Sequence, residues 1–275
     1  MSAVPGWKRL VVPIWNGGHR VGWSIAEYAG AIASGRFERC ACCGWIGPLL
    51  LRRRSIPMKL VALWDLSPRE AAALVRKETL LCPFCGAKLR ARRLARVIVE
   101  TFPVRRAKSL RDWASRPESK LLRIAEINRI EGVHEAITAL PFLSSSDFGD
   151  DLTLPSEDLT HLSYADESFD LVLTSETLEH VPDLDAALRE IRRVLKPGGW
   201  HLFTVPVRPG TPKTLPRAEV GPPISHPGGD WGYPVFTEFG ADLVEVLDRA
   251  GFATEIHFGP TTEDDLAQVY ASRRR

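Results

Sequence analysis

No uninterrupted apolar run in this chain of 275 residues reaches the roughly 18 residues that a bilayer-spanning helix needs. Its first residues also lack the charged, apolar and small-residue segments of a secretory leader in that order. A cytoplasmic location is the expectation. Cysteine is absent after residue 85, and the five present are Cys40, Cys42, Cys43, Cys82 and Cys85. Without a leader, clustered thiols point to metal ligands before disulfides. What remains, 44% hydrophobic and 25% charged, is the composition of an ordinary folded protein with one large domain or two smaller ones.

The formal charge of +2 conceals two opposed halves. Residues 1–120 hold 23 Lys and Arg against 8 Asp and Glu, and the remainder holds 13 against 26. Such a split predicts either a basic face docked on an acidic one, or a basic half that meets nucleic acid or another polyanion.

Two segments, Cys40-Ala-Cys-Cys43-Gly44-Trp45 and Cys82-Pro-Phe-Cys85-Gly86-Ala87, repeat a C-x-x-C-G pattern. The two-residue gap lets both thiolates of a knuckle reach one ion, and the glycine accommodates the tight turn past the second sulfur. The repeat fixes the register, placing Cys42 opposite Phe84 and leaving it outside the ligand set. Four thiolates with no histidine favour a closed structural Zn2+ site at Cys40, Cys43, Cys82 and Cys85. A redox dithiol and iron are the competing readings. Between the knuckles Ser67, Pro68 and Glu70 spell a capping box at a helix start, with Ala71, Leu74 and Val75 as the apolar stripe. After the second knuckle, Lys88 to Arg96 is basic with Leu89, Leu94 and Val97 at helical spacing. A solvated helix face is the plain reading and phosphate contact the sharper one, although no aromatics interleave.

From about residue 120 short apolar runs alternate with amphipathic segments, as in a parallel α/β sheet. Strands are expected at 121–127, 142–146, 169–174, 200–207, 252–258 and 266–271, the last two as an antiparallel edge hairpin. Helices are expected at 183–195, stopped by Lys196-Pro-Gly-Gly199, and at 237–250. Residues 208–234 are rich in Pro and Gly and too long for an ordinary loop, so a functional lid or insertion is expected there, holding His226, Asp230, Trp231 and Tyr233.

The run from Asp158 through Phe169-Asp170, Ser175-Glu176 and Leu178-Glu179-His180-Val181, on through Lys196-Pro197-Gly198-Gly199 to Thr204-Val-Pro206, resembles class I S-adenosylmethionine-dependent methyltransferases of the ubiquinone and menaquinone type. The resemblance implies a Rossmann-like seven-stranded sheet in residues 119–275. It would be preceded by a basic region, 1–118, whose zinc-ribbon-like core spans 36–98. It also implies S-adenosylmethionine as cofactor, with Asp158 accepting the adenine amino group, Leu159 packing on the ring, and Asp147 gripping the ribose hydroxyls twenty-one positions after Glu126. The family's E-x-G-x-G-x-G loop reads here Glu126-Ile-Asn128-Arg-Ile130-Glu-Gly132, keeping only the acid and the last glycine. Independently, ligands of open parallel sheets sit outside the carboxyl ends of the strands, where Glu126, Asp158, Ser175 and Glu176 would lie. The implied reaction is methyl transfer to an O or N nucleophile, with His180, His226 or Tyr233 as candidate bases. A small-molecule acceptor is expected first. A binding module that no longer turns over, and an RNA-directed enzyme using the basic stretch, are the alternatives.

Overall fold

The computed structural model describes residues 37–51, 58–148, 155–226, 232–259 and 266–275. Asp230 and Trp231 of the long loop lie outside the described residues. Among the described residues no helix is long and apolar enough to cross a membrane.

The cysteine-bearing region is built from short strands and helices. β1 (Phe37–Arg39) and β2 (Ile46–Pro48) form an antiparallel pair around the first knuckle. β3 (Leu50–Leu51) reaches across the following helices to pair with β4 (Leu80–Leu81), which leads into the second knuckle. Between them lie α1 (Met58–Leu63) and α2 (Pro68–Thr79). The capping box forms as the sequence predicts: Glu70 N–H donates to Ser67 Oγ, and Ser67 N–H donates to the Glu70 carboxylate at 2.8 Å. α3 (Leu89–Thr101) follows, then the short α4 (Leu110–Ala114).

The main sheet opens with β5 (Ile124–Ile127), α5 (His134–Ile137), β6 (Leu143–Ser146) and β7 (Phe169–Ser175). α6 (Leu184–Val194) is capped by Asp183, whose side chain accepts from Ala186 N–H, and buries Ala187, Leu188, Ile191 and Val194 on one face. The chain then turns directly into β8 (Leu195–Thr204). Here the expected glycine exit is corrected: the helix ends on an extended Leu195, and Gly198, at φ +75°, belongs to an early stretch of the strand near a register shift against Phe169 and Leu171.

The long segment is not structureless. β9 (Leu215–Pro216), α7 (Arg217–Val220), β10 (Ser225–His226) and β11 (Tyr233–Pro234) occupy it, with β10 paired to β11. β9 pairs with β12 (Thr237–Glu238), and an ion pair between Arg217 and Glu238 at 2.6 Å, both buried, fastens the two. Residues 237–238 are therefore strand, and the helix expected from 237 begins only at α8 (Leu243–Arg249). The hairpin of β13 (Phe252–His257) and β14 (Val269–Arg274) forms as expected, with its second strand three residues further on.

Sheet order is β13-β14-β8-β7-β5-β6, parallel from β6 to β8, with β14 antiparallel to β8 and to β13. Seven strands are expected and six form among the described residues. Beyond β6 there is a single parallel bridge, Asp147 to Ser156, because only eleven positions separate Asp147 from Asp158. Period-two alternation sends Leu171, Leu173 and Leu202 to one face and Val172 and Phe203 to the other. The first face packs with Leu94, Ile98, Trp113 and the buried cysteines in one continuous apolar cluster, and the second carries α6 and α8.

Candidate functional site

The two knuckles are built alike. In the first, Cys40 N–H donates to Trp45 O at 2.8 Å and Gly44 N–H to Cys40 O at 2.9 Å. In the second, Cys82 N–H donates to Ala87 O at 3.0 Å and Gly86 N–H to Cys82 O at 2.9 Å. Both glycines have positive φ, +83° and +75°, where a side chain is strained. Facing one another, the knuckles bring Cys40 Sγ to 3.7 Å from Cys85 Sγ and Cys43 Sγ to 3.8 Å from Cys82 Sγ. All four sulfurs lie within 4.8 Å of one another, a spacing one tetrahedral ion can bridge. Cys42 points away, its thiol directed at Ala91 O at 3.6 Å, and complete burial pushes that thiol well up.

Most of the basic run is not a solvated face, Arg96 being its exposed member. On α3 Arg92 is buried and paired with Glu38 at 3.2 Å, Arg93 donates to Ala267 O, and Arg90 with Lys88 holds Glu78 of α2. These cations face inward because α3 is the layer that covers the sheet, and their partners are acids and carbonyls of the chain itself.

At the carboxyl ends of β5, β6 and β7 stand Glu126, Asp147 and the pair Ser175 and Glu176. Glu126 is fully buried and accepts from Ile130 N–H at 3.1 Å and from Ser145 Oγ at 3.0 Å, with His134 Nδ1 at 2.6 Å. That hydrogen bond raises the His134 imidazole above its usual range. Asn128 takes the left-handed conformation at φ +63°, standing in for the family's first glycine, and its Oδ1 accepts from Phe148 N–H at 2.9 Å. Ile130 turns inward and is buried. Gly132, at φ +84°, faces the second knuckle: a Cβ there would lie 2.3 Å from Ala87 Cβ. The cysteine module thus covers the eroded loop.

Asp147 caps the end of β6 and holds Arg129, accepting from its backbone N–H at 2.9 Å and its Nε at 2.7 Å. Asp158 makes a local turn, its Oδ1 accepting from Thr160 N–H and Oγ, while Leu159 is buried in the core behind it. Ser175 Oγ bonds Thr204 Oγ1 at 2.8 Å. Glu176, at φ +51°, pairs through Oε2 with Lys77 of α2 at 2.8 Å, and its buried Oε1 has no partner. A cavity of about 110 Å³ remains here, lined by Arg90, Arg129, Ile130 and Ser175 among others. Lys77 and Arg129 escaped notice in the sequence. The last turn of a capped helix and an x position in a degraded glycine motif carry no signal of their own.

The three base candidates converge. His180 and His226 rings meet edge-on with centroids 5.0 Å apart, and Tyr233 lies 5.7 Å from His180. Burial pushes His226 down to about 4, and it lowers His180 as well. Beneath them Glu179, read from sequence only as part of the family pattern, is fully buried. Burial, with Glu176 nearby, pushes its carboxyl well up. His226 reaches this corner on β10, paired with Tyr233 of β11, and just beyond β11 Phe236 N–H donates to Glu179 O at 2.8 Å.

Strand order, rim carboxylates and left-handed turn define an α/β methyltransferase fold, and residues 143–203 match the family model described as a methyltransferase domain. The matched stretch covers β6, β7, α6 and most of β8, and the four clustered cysteines lie outside it. Among solved structures it is similar to an S-adenosylmethionine-dependent methyltransferase from Mesorhizobium loti, at 24% identity over 56% of this chain and 91% of that one, with a TM-score of 0.39. It is also similar to the YcgJ protein of Bacillus subtilis, at 12% identity over 66% and 99%, with a TM-score of 0.41. No curated protein matches the chain.

Proposed function

We propose that this chain transfers a methyl group from S-adenosylmethionine to an O or N nucleophile of a small-molecule acceptor, and that its four cysteines hold a structural Zn2+. The observation that carries the reading is Asp147, a carboxylate at the end of β6 beside the left-handed turn that follows β5. Two oxygens of one carboxylate can accept from two vicinal hydroxyls. The donor set fits the cofactor. Arg129, which holds Asp147 now, is 40% exposed along its side chain and can exchange for ribose hydroxyls, and Glu176 offers a buried oxygen without a partner.

When bound, the cofactor supplies a methyl group on a sulfonium for in-line displacement. Asp147 orients the ribose, Asp158 accepts the adenine amino group with Leu159 as the apolar floor, and Glu126 braces the turn from Asn128 to Gly132. Ser175, which lines the cavity, and Glu176 beside it would border the methionine end. The corner of His180, His226 and Tyr233 borders the acceptor side. Lys88, Arg90, Arg92 and Arg93 are engaged within the protein, which favours a small acceptor over nucleic acid.

One observation favours the alternative of a non-catalytic binding module. The rim cavity of about 110 Å³ is below the roughly 300 Å³ at which ligand pockets begin. Calorimetric titration of the folded, metal-loaded chain with S-adenosylmethionine separates the two. Methyl transfer requires binding that Asp147→Asn weakens at least tenfold, and absence of heat at near-millimolar ligand leaves the binding module.

A further inference from the structure

The corner formed by Glu179, His180 and His226 is a set of metal-binding groups in which the carboxylate, though within the field of Lys77 and Arg90, has no hydrogen-bonded cation among the described residues. Glu179 has no exposed surface, and neither of its carboxylate oxygens has a hydrogen-bond partner. An unpaired buried carboxylate costs several kcal/mol unless it is neutralised by a proton or a cation. His180 fixes its own tautomer: its Nδ1 lies 2.7 Å from Pro234 O, and since a carbonyl only accepts, Nδ1 carries the hydrogen. The lone pair is therefore on Nε2, which faces Glu179 Oε1 at 3.6 Å, too long for a good hydrogen bond. His226 Nδ1 lies 4.0 Å from the same oxygen. The three ligand atoms fall within 4.8 Å of one another.

We infer that Glu179, His180 and His226 bind a divalent first-row transition ion, a second metal site separate from the four cysteines. Ligand atoms around such an ion, with bonds of about 2.0 Å, stand about 3.3 Å apart, so the spacings of 3.6 and 4.0 Å to Glu179, and of up to 4.8 Å across the set, close through side-chain rotation as the ion enters. The hydrogen bond from His180 to Pro234 O is the outer-shell contact that ligating imidazoles commonly make. Two imidazoles and one carboxylate suit Fe2+, Co2+, Ni2+ or Zn2+ rather than Mg2+ or Ca2+, which take all-oxygen shells. Three protein ligands leave positions open toward the acceptor side. The segment from β9 to β12, fastened by Arg217 and Glu238, then has a physical reason for its order: it delivers His226 as a ligand.

The inference does not rest on methyl transfer, and its test reads metal only. The full chain, with the cysteine site filled by Zn2+, is titrated with Co2+. The expected result is one further equivalent bound without a thiolate-to-cobalt charge-transfer band, weakened at least a hundredfold by His226→Ala and by Glu179→Gln. Zinc content stays at one equivalent in both variants, and His161→Ala, an exposed imidazole elsewhere, changes nothing. Should Glu179→Gln reduce the folded fraction, His226→Ala, altered at the partly exposed side of the cluster, decides alone. Absence of a second equivalent, or its persistence in the His226 variant, overturns the site.

Discussion

The cysteine module and the rim of the sheet both gather ionisable side chains on loops, yet they are built in opposite ways. Each knuckle is complete within six residues: two thiols, a left-handed glycine and two backbone hydrogen bonds repeat in Cys40–Trp45 and again in Cys82–Ala87. The rim draws Glu126 from β5, Asp147 from beyond β6 and Glu176 from the end of β7, and each carboxylate has an internal partner. Two of those partners, Lys77 and Arg129, are cations that a cofactor would compete with or bind beside. A site made of local turns can be read from spacing. A site assembled by sheet neighbours depends on what the rest of the chain lays over it, and here the cysteine module lies over it through Ala87 on Gly132 and Lys77 on Glu176.

The comparison breaks first at the cysteines. Removing one of four ligands discards most of a binding free energy on the order of 10 kcal/mol, so Cys85→Ser should lose the metal and unfold the module. Cys42→Ser should keep one equivalent of zinc and cost about 1–3 kcal/mol, as expected for a buried thiol replaced by a hydroxyl. Metal content and thermal unfolding check both, and equal damage from the two would reverse the register.

The next effect lies in the sheet. His201 is fully buried beside Thr174 Oγ1 at 3.0 Å, and burial alone pushes its imidazole down to about 3 from 6.5. A depressed folded-state value means that the unfolded chain binds the proton more readily. Stability from this group is thus intact above pH 6.5 and declines as pH falls toward 3, by on the order of 5 kcal/mol at the bottom. His201→Gln should flatten that part of the acid limb in urea unfolding measured from pH 7 to 4. An unchanged slope would show that the imidazole is not desolvated as described.

The contact between the two regions is sharpened by Gly132→Ala. The added methyl meets Ala87 at 2.3 Å at a positive φ, which should cost about 2–5 kcal/mol and lower the melting temperature. A neutral outcome would mean that module and loop do not touch. The smallest effect is local: Ser67→Ala removes the cap of α2 and should cost about 1 kcal/mol while leaving zinc content unchanged, read as a modest shift in the denaturant midpoint.

The same contrast explains what was legible in the sequence. The knuckle register, the capping box and the Asp183 helix are set by residues near in sequence and are where spacing puts them, whereas the strand expected at 200–207 begins at Leu195 and the one expected from 121 begins at Ile124. That only six strands of the main sheet form among the described residues was foreshadowed only by the short interval after Asp147. Helix 237–250 failed at its start because Glu238 is a buried strand residue paired with Arg217 from twenty-one positions earlier. The inward-facing arginines of α3 and the convergence of His180 with His226 likewise depend on partners far along the chain, which periodicity does not encode.

In the proposed cofactor site Asp147, the carboxylate assigned to the ribose, is held by the internal Arg129. The most direct test is the affinity of S-adenosylmethionine for Arg129→Ala beside the unaltered chain, both loaded with zinc. Freeing Asp147 should tighten binding by about 5- to 20-fold, a gain of about 1–2 kcal/mol. Equal or weaker binding by the variant would contradict it.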